Sequence, residues 1–130
     1  MFNRTKPKQR LSKALTWTLA GLVAVAIIGS VRLWYASLKD QARSVVVTAY
    51  SSTFFPAGSI GNRKVIAIWN DAQLSYGRAS RWRIQSVGVQ ALGTPVVVKV
   101  RTTRNGRIYD EELQFHNGKV INFGLLEAHP

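Results

Sequence analysis

Hydrophobic residues are spread unevenly along the chain and are densest near its start. From Ala14 to Val31 there is no charged residue, and the apolar run continues for three more residues after Arg32. A helix rises about 1.5 Å per residue and the hydrocarbon core of a bilayer is about 30 Å thick, so roughly 20 apolar residues span it. The pattern predicts a transmembrane helix over residues 14–35, between a tail (residues 1–13) and a domain (residues 36–130).

Two later stretches have apolar residues at the three-to-four spacing of a helical face. The first stretch predicts a helix that continues from the span to about Phe54, although the β-preference of residues 45–48 leaves a strand as an alternative. The second predicts a helix from Arg63 to Tyr76, with Gly77 placed as its C-cap. The two predicted apolar faces are Leu38, Ala42, Val45, Val46, Ala49, Tyr50 and Phe54, and then Val65, Ile68, Trp69, Ala72 and Tyr76.

The rest of the chain alternates between apolar and polar residues, which is typical of strands. Turn signals occur at Gly93-Thr94-Pro95, at Asn105-Gly106 and at Asn117-Gly118, and Asn-Gly is the strongest short hairpin signal. The predicted fold is therefore α+β, with two helices and a four-stranded antiparallel sheet that is packed against a helix on one face. The predicted strands are Arg81–Ala91, Val96–Thr103, Arg107–His116 and Lys119–Leu126.

The Asn105-Gly106 turn also predicts the register of the central hairpin. A two-residue turn sets Arg101 opposite Asp110 and Lys99 opposite Glu112, as two pairs of opposite charge on one face. The other face then carries the apolar pairs Val98 with Leu113 and Val96 with Phe115. A slip of one residue would exchange the two faces, so the pattern favours this register alone.

In the last predicted strand, the apolar pattern disagrees with the register that a two-residue turn predicts. A similar turn at Asn117-Gly118 places Ile121, Phe123 and Leu125 on the charged face of the sheet. Two explanations remain open: a β-bulge exchanges the faces within this strand, or the outer face of the sheet is partly apolar and is covered by a partner.

The formal net charge of +12 is concentrated first in the tail, which has several basic residues and no acidic one. Lys and Arg beside a span indicate the cytoplasmic side, so we expect the domain to lie outside the cytoplasm. Contact with anionic lipid is expected and nucleic acid is not. A secretory signal peptide shares this layout, but its apolar core is shorter. The expected membrane-interface residues are Arg10, Lys13, Trp17, Arg32, Trp34 and Tyr35.

The chain contains no cysteine, which excludes disulfides, a lipoprotein anchor and thiolate metal sites. His116 and His129 belong to no recognised metal spacing, and no metal or cofactor is expected. Gly21 and Gly29 offer small surfaces through which spans can associate, although glycine is common in such helices. A homo-oligomer is therefore one of the expected partnerships, besides the lipid bilayer and other subunits of a membrane complex.

Glu111 is the one candidate for acid–base chemistry. In the predicted register it lies on the core face opposite Val100, where burial would raise the pKa of a carboxyl group. It would then line a pocket with Trp69, Tyr76 and Tyr109. The alternative is that Glu111 reaches water at the margin of the sheet, or bonds Tyr76 or Tyr109.

Basic side chains follow the predicted strands and alternate with Trp82 and Tyr109. They are compatible with a solvated surface, a docking surface for an acidic protein, a lipid-headgroup surface or, least in keeping with the topology, a nucleic-acid surface. The basic residues are Arg78, Arg81, Arg83, Lys99, Arg101, Arg104 and Arg107. The candidate docking residues are Arg81, Arg83, Lys99, Arg101, Ile121, Phe123 and Leu125.

Two segments resemble nuclear-transport-factor-2-like, or cystatin-like, domains. They are Tyr76–Ile84, which leads from a helix into the first strand, and Glu112–Val120, which is similar to the closing hairpin of that superfamily. The resemblance covers about residues 38–126. It implies a bitopic scaffold subunit of a conjugation or type IV secretion machine, or a small extracytoplasmic assembly factor, in the bacterial inner membrane. Enzymes of the superfamily carry an inward Asp and His, and no inward His can be assigned here.

The sequence thus favours a non-enzymatic membrane protein whose extracytoplasmic domain docks on partner subunits. The alternative is a small-ligand binder or weak acid–base enzyme that uses Glu111. A third interpretation is a domain that binds anionic lipid through its basic face.

Overall fold

A computed structural model describes the backbone of residues 5–89 and 94–128, and the side chains of residues 16–89 and 94–128. The fold is α+β, as predicted, with two helices followed by a four-stranded antiparallel sheet in the order β1-β2-β3-β4. The elements are α1 (Thr5–Ser52), α2 (Lys64–Tyr76), β1 (Ala79–Gly88), β2 (Val96–Arg104), β3 (Arg107–His116) and β4 (Lys119–Glu127).

The chain divides into two compact units, Met1–Tyr35 and Ala36–Pro130. Helix α1 contributes to both, because its 48 residues begin in the first and end in the second. At about 1.5 Å per residue, it is much longer than a bilayer is thick. It is also apolar enough to cross a membrane, and the residues of its most apolar window are exposed.

The second unit uses the last turns of α1 for its core. Ala42, Val46, Ala49 and Tyr50 are buried, as predicted, and the helical conformation excludes the alternative of a strand over residues 45–48. The prediction for Phe54 is wrong. The helix ends at Ser52 and Thr53 has a φ of 67°, which turns the chain out of the helix and leaves Phe54 exposed.

Helix α2 buries Val65, Trp69 and Ala72, whereas Ile68 and Tyr76 of the predicted stripe are more exposed. Gly77 caps the helix with a φ of 86°, and its N–H donates to the Gln73 carbonyl at 3.1 Å. Glycine is needed here for a second reason, since a Cβ would lie 2.6 Å from the Asn105 side-chain nitrogen.

Both Asn-Gly turns form as predicted. Asn105 and Gly106 have φ angles of 50° and 78°, and Asn117 and Gly118 have 50° and 76°, as a type I′ turn requires. The predicted register between β2 and β3 is confirmed at every pair, including Val98 with Leu113 and Val100 with Glu111. The first strand runs from Ala79 to Gly88; its predicted end at Ala91, like Gly93 of the predicted turn, lies outside the described residues.

A β-bulge in β4 resolves the conflict in the last strand. Phe115 pairs with Val120 but Gln114 pairs with Asn122, so Ile121 is the extra residue. From Asn122 onward the two faces are exchanged, and Phe123 and Leu125 lie on the core side. The bulge is supported by residues 59–61, since Gly61 N–H donates to the Val120 carbonyl and Val120 N–H donates to that of Ser59.

Candidate functional site

The helices pack against one face of the sheet only. The buried core combines α1 and α2 with Val96, Val98 and Val100 of β2, Leu113 and Phe115 of β3, and Val120 and Phe123 of β4. The residues between these positions form the outer face of the sheet, which no other element covers in the described part of the chain. The outer face is therefore the natural place for the predicted docking surface.

Charge is segregated on this outer face. The first two strands contribute cations, Arg81 and Arg83 from β1 and Lys99 and Arg101 from β2, and all four side chains are exposed. The third strand contributes Asp110 and Glu112. The register aligns Arg83, Arg101 and Asp110 in one row across three strands. We call the four cations the basic face.

Among the described residues, only one of the four cations has an ion-pair partner. Arg101 donates from Nε to Asp110 Oδ1 at 3.0 Å, and this hydrogen bond and the Asp110 charge raise the pKa of Arg101. Lys99 is the register partner of Glu112, as predicted, but the described residues provide no ion pair for it, nor for Arg81 or Arg83. Three exposed cations are thus available to an external carboxylate or phosphate.

The apolar half of the predicted docking surface is mostly withdrawn from solvent. Phe123 is only 3 % exposed and its ring packs edge-on against Trp69, with 5.1 Å between the ring centroids, so it is a core residue. Leu125 is half-buried against the same core. Ile121 is half-buried too, and its Cγ2 lies 3.0 Å from where a Cβ on Gly61 would be. The bulge therefore removes Phe123 from the candidate docking surface and leaves Ile121 and Leu125 only partly exposed.

Glu111 lies on the core face, as predicted, and is fully enclosed. Its two carboxylate oxygens accept a forked pair of bonds from Arg104, Nη2 to Oε1 at 2.9 Å and Nε to Oε2 at 3.0 Å. Tyr50 donates to Oε1 at 2.8 Å, and the Thr102 hydroxyl donates to Oε2. Because both side chains of the ion pair are inaccessible, Glu111 and Arg104 form a buried salt bridge.

The partners expected for Glu111 surround this ion pair without opening a pocket onto its carboxylate. Trp69 lies under the Arg104 guanidinium, 6.0 Å from ring centroid to Cζ, and Tyr109 is buried against Tyr76. Neither tyrosine bonds Glu111, and Tyr50 does so instead. Burial and the Glu111 charge raise the pKa of Tyr50 well above its ordinary value, so it stays a hydrogen-bond donor. The arrangement fixes the orientation of the Glu111 carboxylate and stabilises the buried ion pair. It does not expose Glu111 as a base.

Arg104 was expected among the exposed basic residues, and that expectation is wrong. Arg104 is completely buried, and its Nη1 also donates to the Gly77 carbonyl at 2.7 Å, which ties the end of α2 to the sheet. The signal was present in the sequence. Even-numbered β2 residues face the core, so Arg104 shares a face with Val100 and, across the hairpin, with Glu111.

Three of the four predicted interface residues with described side chains are exposed, namely Trp17, Arg32 and Trp34. The fourth, Tyr35, is partly buried, and its ring centroid lies 5.1 Å from that of Trp34. A Cβ added at Gly21 or Gly29 would meet nothing within 4 Å. The side chains of Arg10 and Lys13, and His129, lie outside the described residues. No cluster of potential metal ligands occurs within the described ranges.

Comparison with known proteins yields no match to any family model, curated protein or solved structure. The similarity to nuclear-transport-factor-2-like domains therefore stays a prediction from the two quoted segments.

Proposed function

We propose that this chain is a non-enzymatic, single-span membrane protein whose domain docks on an acidic protein partner through the basic face. The observation that supports this proposal is the set of three cations, Arg81, Arg83 and Lys99, on a sheet face where the described residues provide neither an ion-pair partner nor a covering element. Exposed like charges on one surface steer a partner of opposite charge and set the orientation of docking. The enclosed carboxylate of Glu111 supports a structural role for that residue.

The cellular placement is part of the same proposal. The basic tail favours an N-terminus in the cytoplasm and a domain in the periplasm of a bacterium, anchored in the inner membrane. The chain has no cysteine, so single cysteines can report this topology without background. A cysteine at Ser44 should react with an impermeant maleimide in intact spheroplasts, and one at Asn3 only after lysis. The reverse pattern would refute the orientation.

The partner is proposed to be another subunit of a secretion or conjugation-type membrane complex, a detail that rests on the resemblance alone. The docking test replaces Arg81, Arg83 and Lys99 by Glu in the full-length chain. Cross-linking in native membranes, followed by mass determination of the complex, should show loss of the assembly. The matched control reverses three exposed cations off the basic face, Arg63, Lys64 and Lys119, and should keep the assembly.

Two results would overturn the docking proposal. One is an assembly that survives the triple reversal in a folded protein. The other is that the full-length protein binds phosphatidylglycerol vesicles through its domain, and that this binding requires the same three cations and is lost when salt is added. Such a result would assign the basic face to lipid.

A further inference from the structure

Three large apolar side chains of the second unit are much more exposed than the others. Leu74 is 87 % exposed, Leu126 is 78 % and Phe54 is 73 %, whereas the next, Ile108, is 47 %. They lie in two places, with Phe54 and Leu74 together beside α2 and Leu126 near the end of β4. Adjacent exposed apolar side chains, such as Phe54 and Leu74, mark a candidate contact site, whereas a single one such as Leu126 counts only together with the groups around it.

Phe54 and Leu74 border a surface groove of about 500 Å³. Its polar members include Arg78, an exposed cation for which the described residues provide no ion pair. Gln73 also lines the groove, and its Oε1 atom is buried without a hydrogen-bond donor. A buried acceptor without a donor is rare in native proteins, because it has lost its bonds to water. A partner that complements the groove would supply an apolar side chain to Phe54 and Leu74, a carboxylate to Arg78 and an N–H donor to Gln73.

The end of β4 offers these three groups around one strand edge. Leu126 is exposed on the outer face, and Glu127, the register partner of Tyr109, has a half-exposed carboxylate on the opposite face. Glu127 is held only loosely, by a 3.9 Å contact with the exposed Arg107. Since β4 is the edge strand of the sheet, it has backbone N–H groups that are not paired with β3. We call Leu126 and Glu127 the β4 ridge.

We propose that the groove of one chain binds the β4 ridge of a second copy, with Leu126 packed against Phe54 and Leu74 and Glu127 paired with Arg78. Groove and ridge are different surfaces, so the contact is heterologous, and each copy binds one neighbour through its groove and another through its ridge. Anchoring in one membrane raises the effective concentration of the copies for each other. None of the four cations of the basic face takes part in this self-contact, although Leu126 borders the same outer-face cleft as Lys99.

The absence of cysteine makes a direct test possible. Leu74→Cys and Leu126→Cys chains, with different tags, are reconstituted together in liposomes and treated with a short bis-maleimide. We expect the mixed pair to cross-link at least fivefold more than Leu74→Cys alone or Leu126→Cys alone. The matched control pairs Leu74→Cys with His116→Cys, an exposed position at the opposite end of the same hairpin, and should give only background.

A charge exchange then tests the proposed ion pair. Arg78→Glu in the Leu74→Cys chain should reduce the mixed cross-link about tenfold, and so should Glu127→Arg in the Leu126→Cys chain. Combining the two should restore it to within twofold of the original. Arg81→Glu with Arg83→Glu should leave it unchanged, which separates this contact from docking through the basic face.

Three outcomes would overturn the proposal. The first is no mixed cross-link above the His116 control in chains that melt like the parent, which would indicate an occupant other than this chain. The second is a preferred Leu74–Leu74 cross-link, which would indicate a symmetric contact between grooves, and the third is a loss at Arg78→Glu that Glu127→Arg does not restore.

Discussion

Two Arg–carboxylate ion pairs join the same two strands and lie on opposite faces of the sheet. Arg104 and Glu111 are buried on the core face, whereas Arg101 and Asp110 are about half exposed on the outer face. Solvent and salt screen an exposed pair, which stabilises a protein by about 0–1 kcal/mol. Removing one partner of a buried pair leaves the other charge unpaired in the core, which lowers the free energy of unfolding by about 3–5 kcal/mol. The two pairs therefore form a matched experiment.

Glu111→Gln should destabilise the fold by about 3–5 kcal/mol, because Arg104 would stay buried without a counter-charge. Asp110→Asn, the same chemical change one residue away, should cost less than about 1 kcal/mol. Urea unfolding of both variants measures the difference. Equal stabilities would show that the Glu111 carboxylate is not paired in the core, and would return it to the list of candidate catalytic groups.

Alkaline pH should weaken the fold through Tyr50, which lies in α1 well past the predicted span. An unfolded tyrosine loses its proton near pH 10, and burial keeps the folded pKa of Tyr50 above that value. Only the unfolded chain releases this proton as pH rises past about 10, so the contribution of Tyr50 is complete below that pH and declines above it. Unfolding curves between about pH 8 and 11 should show a smaller decline for Tyr50→Phe. An unchanged slope would contradict the buried Tyr50–Glu111 bond.

The residue scale also shows how far sequence reasoning reaches. The register followed from one Asn-Gly turn, and it placed Glu111 on the core face correctly. The same counting places Arg104 there, although its charge and the basic residues around it favour a surface position. Tyr50 could not have been assigned to Glu111, since the two are 61 residues apart and only the packing of α1 on the sheet brings them together.

At the scale of elements, strand alternation specified a face only as far as the first irregularity. The pattern of β4 admitted a bulge or an apolar outer face, and nothing within β4 decided between them. The deciding contact comes from residues 59–61, which pair with β4 beside the extra residue Ile121. Local sequence gives no signal for that contact, because these residues lie between α1 and α2, far from β4 along the chain.

Because of the bulge, Phe123 lies on the core face of the sheet and Leu126 on the outer face, although the two residues are close in sequence. Phe123→Glu should unfold the domain or lower its stability by more than about 3 kcal/mol, because it removes a core ring and buries a charge. Leu126→Glu should change the stability of the monomer by less than about 0.5 kcal/mol. Thermal unfolding followed by near-UV circular dichroism, which reports on Trp69, separates the two. A stable Phe123→Glu variant would mean that this strand lacks the bulge.

At the scale of the whole molecule, the sequence predicted an apolar helix and a separate α+β domain. It also predicted that the helix of the span continues into the domain, and α1 does so as far as Ser52. The residues of α1 that enter the core, Ala42 to Tyr50, all lie beyond Tyr35, where the first unit ends. Among the residues that the structure describes, the buried core of the domain lies entirely within residues 36–130.

We therefore expect a fragment of residues 36–130 to fold without the apolar segment. It should be soluble after cell lysis and unfold cooperatively on heating, because its hydrophobic core is complete and α1 retains its last turns. The full chain should instead stay in the membrane pellet after a carbonate wash. Circular dichroism and fractionation test both halves of the expectation. A fragment without a cooperative transition would mean that the domain needs the apolar segment to fold, and full-length protein in the carbonate supernatant would refute the membrane anchor.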